Sequence, residues 1–362
     1  MKKFKLGICT NFSHKHVGGS EAVLKNIADR LVKDYNYEVN VYSFSCKALF
    51  TDKGVNYYPC LKGKQFISQI DQNDHLLVYS SDFWEFDTLV GAIEDVDCRV
   101  SVCLVGAYHL QAHPNTFDLL KKNINRFNLI THSAITPDYK WCIDNDLPVK
   151  VIPNGVFLSE FNNCSIDFRQ KFNIKEKYII LNVGNFFFGK NQDMLADVAK
   201  KIKSKDFIII QCSNSINYPY EKRFLQRIKQ QSKGLNIRFF RDLPREDVVA
   251  AFKCSDVFLF SSLKEVAPLV ILESQASKLS WISMDVGNSK EQLGGIVINN
   301  SNVDHKGYKI VDDKIISSYV VNIADILELK DVRENLIEEG QQNIEKLDWD
   351  NIVPLYDKVF KK

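Results

Sequence analysis

Short apolar runs and amphipathic stretches alternate along the chain. Phe4–Thr10 (FKLGICT) is apolar; a polar loop at 11–16, the pair Gly18-Gly19, and a stretch with Ala22, Ile27, Ala28 and Leu31 at helical spacing follow it. Runs of the first kind fit strands buried on both faces, and a 3.6-residue recurrence fits a helix packed on a sheet. Residues 39–44 form the next run, so strand, glycine turn, helix and strand predict one parallel βαβ unit. Further strand-like runs occupy 75–79, 100–105, 129–132 and 149–152, with a helix at 117–125.

Pro153-Asn154-Gly155 then breaks the pattern with a sharp turn near the middle of the chain, and a second series begins. Its strands read as Tyr178–Val183, 207–211, 237–240, Val257–Phe260 and Trp281–Met284. Its helices read as 192–202, Glu221–Gln231, 246–252 and 270–276, and 332–360 closes the chain as a helix carrying Trp349. Two successive series predict an α/β protein of two parallel-sheet domains with a cleft between them and ligands near the carboxyl ends of the strands. At 362 residues the chain also exceeds what one hydrophobic core ordinarily serves.

Composition narrows the class without naming an activity. Apolar content of 45%, charged content of 25% and a net charge of +2 describe a soluble globular protein with no general attraction to nucleic acid or membrane. Nine cysteines without a CxxC pair, and no leader-like or membrane-spanning segment, point to reduced thiols in a cytoplasmic protein.

The candidate chemistry centres on residues 261–273, SSLKEVAPLVILE, where Glu265 and Glu273 stand eight positions apart. With a helix starting near Pro268, the pair addresses one pocket from different heights. Glu265 falls in the loop before the positive helix end. Glu273 falls inside the helix among apolar neighbours, where an ionised carboxylate needs hydrogen-bond partners. Gly18 and Gly19 at the first strand-to-helix turn allow a ligand close to the backbone, and a helix start offers N–H groups to an anion. Taken alone, each of these also fits a structural role: a cap, a surface carboxylate, a packing turn.

Several motifs agree in order. GGSE in the first turn, VIPNGVFLSEF after the midpoint, LNVGNFFFGKNQD, SSLKEVAPLVILESQASKLSWI and the terminal LDWDNIVPLYDKVF make the chain resemble the retaining GT-B glycosyltransferases of family 4, glycosyl transferases group 1. The resemblance covers nearly the whole chain. It implies two Rossmann-like domains: an acceptor-side domain at 1–153, joined by a helix of about 345–362 that packs back on it, and a nucleotide-sugar domain at 154–344. It further implies that Lys190 pairs with the donor diphosphate, with Gly18, Gly19 and position 185 beside it; that Glu265, by the anomeric carbon, is catalytic; that Val266, Ala267 and Leu269 line the sugar; and that Glu273 accepts from the ribose hydroxyls. No metal and no cofactor are implied beyond the nucleotide sugar itself.

The departures are specific. The family carries arginine at position 185 and this chain has Asn185, so one cation is missing at the diphosphate, with Arg169 a candidate to replace it. Val266 stands where the family has glycine. The family histidine after the strand ending in CLVGAYHL aligns with Leu104 or Val105; His109 is the nearest substitute and a candidate catalytic residue, followed by His113, with His14 and His16 beside the glycine turn. The expected activity is transfer of a sugar from a UDP- or GDP-linked donor to a surface glycan or lipid-linked acceptor, with the inner membrane face as a place of action. The alternatives are transfer to hydroxymethylated bases of viral DNA, motivated by the basic stretch 222–253, a non-catalytic sugar-nucleotide binder, and a nucleotide-sugar epimerase.

Overall fold

The computed structural model describes residues 2–12, 18–80, 89–105, 114–202, 204–215 and 220–362. The chain divides into two compact units, residues 1–154 with 349–362, and residues 155–348. The division falls inside the Pro153-Asn154-Gly155 turn.

In the first unit the strands are β1 (Phe4–Thr10), β2 (Tyr37–Ser43), β3 (Phe50–Asp52), β4 (Val55–Pro59), β5 (His75–Ser80), β6 (Arg99–Leu104), β7 (Phe127–Thr131) and β8 (Val149–Val151). They form one sheet in the order β3-β4-β2-β1-β5-β6-β7-β8. All pairs are parallel except β3 with β4. That hairpin, and the helix Lys64–Ile70 after it, have no counterpart in the apolar pattern, because their residues are short and mostly half-exposed. The turn itself is readable: Lys53 and Gly54 both take positive φ, 49° and 82°, as a two-residue hairpin loop of type I′ requires.

The closing segment is two helices rather than one. Lys330–Ile344 and Trp349–Phe360 are separated by a 3-10 turn and by Asp348, which is extended at ψ 141°. The Asp348 carboxylate accepts from the Leu158 amide at 3.1 Å, and Val156 N–H donates to Leu347 O at 2.9 Å, so the chain is pulled out of the helix at this point. Trp349–Phe360 buries Trp349, Tyr356 and Phe360 in the first unit, where Tyr37 donates to Asp357 at 2.8 Å.

His75, fully buried at the start of β5, lies 2.9 Å from the Ser101 hydroxyl with its ring 5.1 Å from Phe360. Burial, aided by Arg99, pushes its pKa down to about 4. The unfolded chain therefore takes up this proton near pH 6.5, well before the folded unit does. Stability of the first unit is expected to fall as the pH drops below about 6.5 and to level off near 4, a loss of about 3 kcal/mol from this group. Urea unfolding of the protein and of His75→Gln across that range checks it; the variant should show the shallower slope.

The second unit holds β9 (Tyr178–Val183), β10 (Phe207–Ser213), β11 (Ile237–Arg241), β12 (Val257–Phe260), β13 (Trp281–Met284) and β14 (Gly295–Ile298), ordered β11-β10-β9-β12-β13-β14 and parallel throughout. The chain starts in the middle at β9, runs out through β10 and β11, then returns to the other side of β9 with β12. The order reverses between β9 and β12, and the loops leaving their carboxyl ends diverge there and leave a crevice. Among the described residues no helix is long and apolar enough to cross a membrane.

Candidate active site

Two loops meet at that crevice, one after β9 and one after β12, and buried amides fold them into place. The Gly184 carbonyl accepts from Gln192 at 3.1 Å and from Gln211 at 2.8 Å, and the Asn185 carbonyl accepts from Gln192 at 2.8 Å. Both glutamines are fully buried, so these bonds are made in a medium where leaving them unmade is costly. The first loop then turns through Phe188–Lys190 into Asn191, which is left-handed at φ 51°. From the second loop, Ser261 donates to the Lys190 carbonyl at 2.6 Å while accepting from Asn182 at 3.1 Å, and the Leu263 amide donates to Gly189 at 2.7 Å.

This stitching brings opposite charges together. Lys190 Nζ lies 2.5 Å from Glu265 Oε1, with the carboxylate 14% exposed and the lysine 33%. One of the three ammonium donors is thus spent on Glu265, and the others can reach an anion. The helix Leu269–Ala276 begins four residues beyond Glu265, after Pro268 as its N-cap. Val266 and Ala267 lie in the intervening loop and Leu269 is the first helical residue. Within the helix, Glu273 Oε1 is 2.6 Å from Arg245 Nη1.

The loop after β13 closes the site from below. Gly287 has φ +54°, and a Cβ there would stand 2.6 Å from the Val266 carbonyl oxygen and 3.1 Å from the Glu265 carbonyl carbon. Only glycine satisfies both the left-handed backbone and the close approach. Gly287→Ala is expected to cost about 1–3 kcal/mol and to displace the Glu265–Val266 backbone. Denaturant unfolding measures the first effect, and a fall in ligand affinity larger than the stability loss predicts would report the second.

The model of the family of glycosyl transferases group 1 matches residues 165–343. The second unit belongs to that family. Over 195 residues the chain is 29% identical to the UDP-Gal:alpha-D-GlcNAc-diphosphoundecaprenol alpha-1,3-galactosyltransferase of Escherichia coli, covering 47% of each. Over 176 residues it is 23% identical to the GPI3 subunit of the phosphatidylinositol N-acetylglucosaminyltransferase of Saccharomyces cerevisiae, covering 47% of this chain and 36% of that one. The matches thus span half or less of the length of these curated relatives. Among solved structures, a sucrose-phosphate synthase from Thermosynechococcus elongatus superposes with a TM-score of 0.78 at 12% identity, covering 99% of this chain and 98% of that one. Anabaena HepE in complex with UDP-glucose gives 0.75 at 14% identity, covering 98% and 99%. The fold of the group 1 domain and its companion is the two-domain GT-B fold.

Against this geometry the sequence-derived candidates sort as follows. Lys190 and Glu265 are brought into contact, and Glu273 lies in the helix that follows. Asn185 sits in the β9 loop, where its side-chain oxygen accepts from the Asn214 amide at 3.0 Å. Gly18 is the N-cap of Gly19–Asp34, after β1 of the first unit. His109, with His113, His14 and His16, lies outside the described residues.

Arg169 does not replace the missing arginine. It donates to the Glu176 carbonyl at 2.7 Å and pairs with Asp256 at 3.3 Å. Those residues precede β9 and β12, so Arg169 lies at the amino ends of the strands, opposite the crevice. The basic stretch 222–253 is in part neutralised by acidic partners. Arg227 pairs with Asp193, Arg238 with Glu176, Arg241 with Glu221, and Arg245 with Glu160 and Glu273. All of these acids except Glu221 come from other segments, which a one-dimensional charge count cannot register.

Sequence reasoning missed Arg245 as a site residue, together with Glu160, Gly287 and the buried Gln192. Gly287 carried a signal in its type, since it follows a strand end, but its neighbour Val266 could not be inferred. A surface depression of about 700 Å³ in the first unit, lined by Tyr42, Tyr58 and Gln69 among others, contains none of these residues.

Proposed function

We propose that the protein is a retaining, metal-independent glycosyltransferase that moves a sugar from a UDP- or GDP-linked donor to a hydroxyl of a lipid-linked or surface glycan. The observation that carries this reading is the Lys190–Glu265 pair at the switch point of the group 1 domain. A diphosphate there meets the Lys190 ammonium and the N–H groups at the start of Leu269–Ala276. Asn185 contributes polarity rather than a second cation. Gly18 and Gly19, at the turn after β1, are assigned to diphosphate binding on the resemblance of GGSE to the family motif. Glu273 accepts from the ribose hydroxyls.

Glu265 stands where the sugar joins the diphosphate. It hydrogen-bonds the sugar hydroxyls and offsets the positive charge that develops at the anomeric carbon. The bond from that carbon to the diphosphate oxygen breaks, and a bond from the same face to the acceptor oxygen forms. The acceptor proton passes to the departing diphosphate. Val266, with Ala267 and Leu269, narrows the sugar pocket, and His109 is the candidate for the second catalytic residue.

The Escherichia coli relative is named for a UDP-linked galactose and a diphosphoundecaprenol acceptor, which supports a lipid-linked acceptor at a membrane face. A nucleic-acid acceptor is the second reading, and it has less support because four arginines of the basic stretch are held in ion pairs. The test is a panel of UDP-, GDP- and ADP-sugars with polyprenyl diphosphate-linked acceptors, read by nucleotide release and by the anomeric coupling in the product. Turnover with retained configuration is expected. Neither release nor binding across the panel would overturn the reading, and an inverted anomer would overturn its stereochemistry.

A further inference from the structure

We propose that Glu160 and Arg245 act together as the positioning device for Glu273, so that preference for ribose over deoxyribose is set by a helix that supplies no ligand contact of its own. The inference rests on the reading of Glu273 as the ribose acceptor given above.

Arg245 is the first residue of the helix Arg245–Cys254. A cation at a helix N-terminus is at the unfavourable end of the dipole, so its placement there needs compensation. Two carboxylates supply it. Glu160, from the helix Leu158–Asn163, accepts with one oxygen from Arg245 Nε at 3.0 Å and Nη2 at 2.9 Å. These two bonds fix the plane of the guanidinium, and the remaining nitrogen, Nη1, is directed at Glu273 Oε1 at 2.6 Å. The guanidinium also stands over the Phe161 ring at 5.7 Å, which restricts its tilt. Burial works against its charge, but the two carboxylates outweigh burial and hold its pKa above the usual value.

The consequence falls on Glu273, whose side chain is only 13% exposed. An ionised carboxylate accepts at both oxygens, so commitment of Oε1 to Arg245 leaves Oε2 for a vicinal hydroxyl at a fixed orientation. Without Arg245 the same carboxylate would be nearly buried and unpaired, and free to rotate or take up a proton. Glu160 is itself 38% exposed and belongs to a separate helix. In this proposal it acts on the ligand through Arg245, from which it accepts both hydrogen bonds.

The experiment measures dissociation constants for UDP and GDP and for their 2′-deoxy counterparts, with the full chain and with Glu160→Ala and Arg245→Met. The unaltered protein should prefer the ribose form about tenfold, the size of one charge-assisted hydrogen bond. Glu160→Ala should weaken ribose-form binding about fivefold, leave the deoxy form within about twofold, and so erase most of the preference. In turnover the loss should appear in KM for the donor rather than in kcat, and Glu160→Gln should restore part of it. Arg245→Met should show the same pattern more strongly.

A preference that survives in Glu160→Ala, or an equal weakening of both forms, would overturn the positioning role alone. If the unaltered protein binds none of these diphosphates, or binds ribose and deoxyribose forms alike, the ribose reading of Glu273 falls and the inference falls with it. Thermal unfolding of Glu160→Ala should remain one cooperative transition with a midpoint lowered by only a few degrees, since Glu273 still pairs with Arg245, and this separates a lost fold from a lost device.

Discussion

Replacing Lys190 by methionine is expected to weaken binding of a nucleoside diphosphate by about a hundredfold and to lower kcat/KM by about a thousandfold. Losing an ammonium partner of a partly desolvated diphosphate costs about 2–5 kcal/mol, and a clamp on a leaving group contributes more in the transition state than in the ground state. Asn185 stands in place of a second cation and Arg169 lies at the far end of the sheet, so Lys190 is the cation paired with Glu265. The loss should therefore be larger than in a site with two cations. Methionine keeps the length of the stem, so its packing changes little. Isothermal calorimetry with UDP and GDP, beside initial rates, measures both effects. Unchanged diphosphate affinity would show that Lys190 serves only as a structural partner of Glu265.

Glu265→Gln is expected to lower turnover by about a hundred- to a thousandfold while tightening nucleoside diphosphate binding about threefold to tenfold. The two effects have opposite signs for one reason. Glu265 takes one donor of the ammonium proposed to meet the diphosphate, at 2.5 Å. A phosphate arriving there meets the attraction of Lys190 and the repulsion of the carboxylate beside it. Glutamine removes the repulsion and keeps the shape, so the product analogue binds better. Catalysis suffers because a neutral amide offsets positive charge at the anomeric carbon poorly. Weaker binding in the variant would mean instead that Glu265 works by holding Lys190 in place, and that outcome would remove the competition between carboxylate and phosphate.

The two substitutions together separate these accounts. If Lys190 and Glu265 act as one unit, the double variant Lys190→Met with Glu265→Gln should bind diphosphate no worse than Lys190→Met alone. Residues in one ion pair are not expected to be additive.

Much of the fold was legible in the residues because strands and helices are written in local periodicity. Both apolar series, the glycine turn after β1 and the helix starting after Pro268 could be placed without coordinates. So could the candidates Lys190, Glu265 and Glu273, whose types and order carry the resemblance to the group 1 transferases. The short β3–β4 hairpin escaped because a few half-exposed residues give no periodic signal. The break at Asp348 escaped because a carboxylate that takes the Leu158 amide looks, in one dimension, like an ordinary helix residue.

What the chain determined by itself is therefore the kind and order of its elements, and the residue types available at their ends. What only the tertiary structure decided is which of those ends meet. Lys190 and Glu265 are joined because β12 inserts beside β9, and Gly287 is required because the β13 loop passes under Val266. Arg245 is aimed at Glu273 because Glu160 holds it from a third helix. Local backbone preference acts over a few residues and leaves its mark in the sequence. The choice of charge partner depends on which strands burial drives together, and that is settled only by the packing of the whole unit.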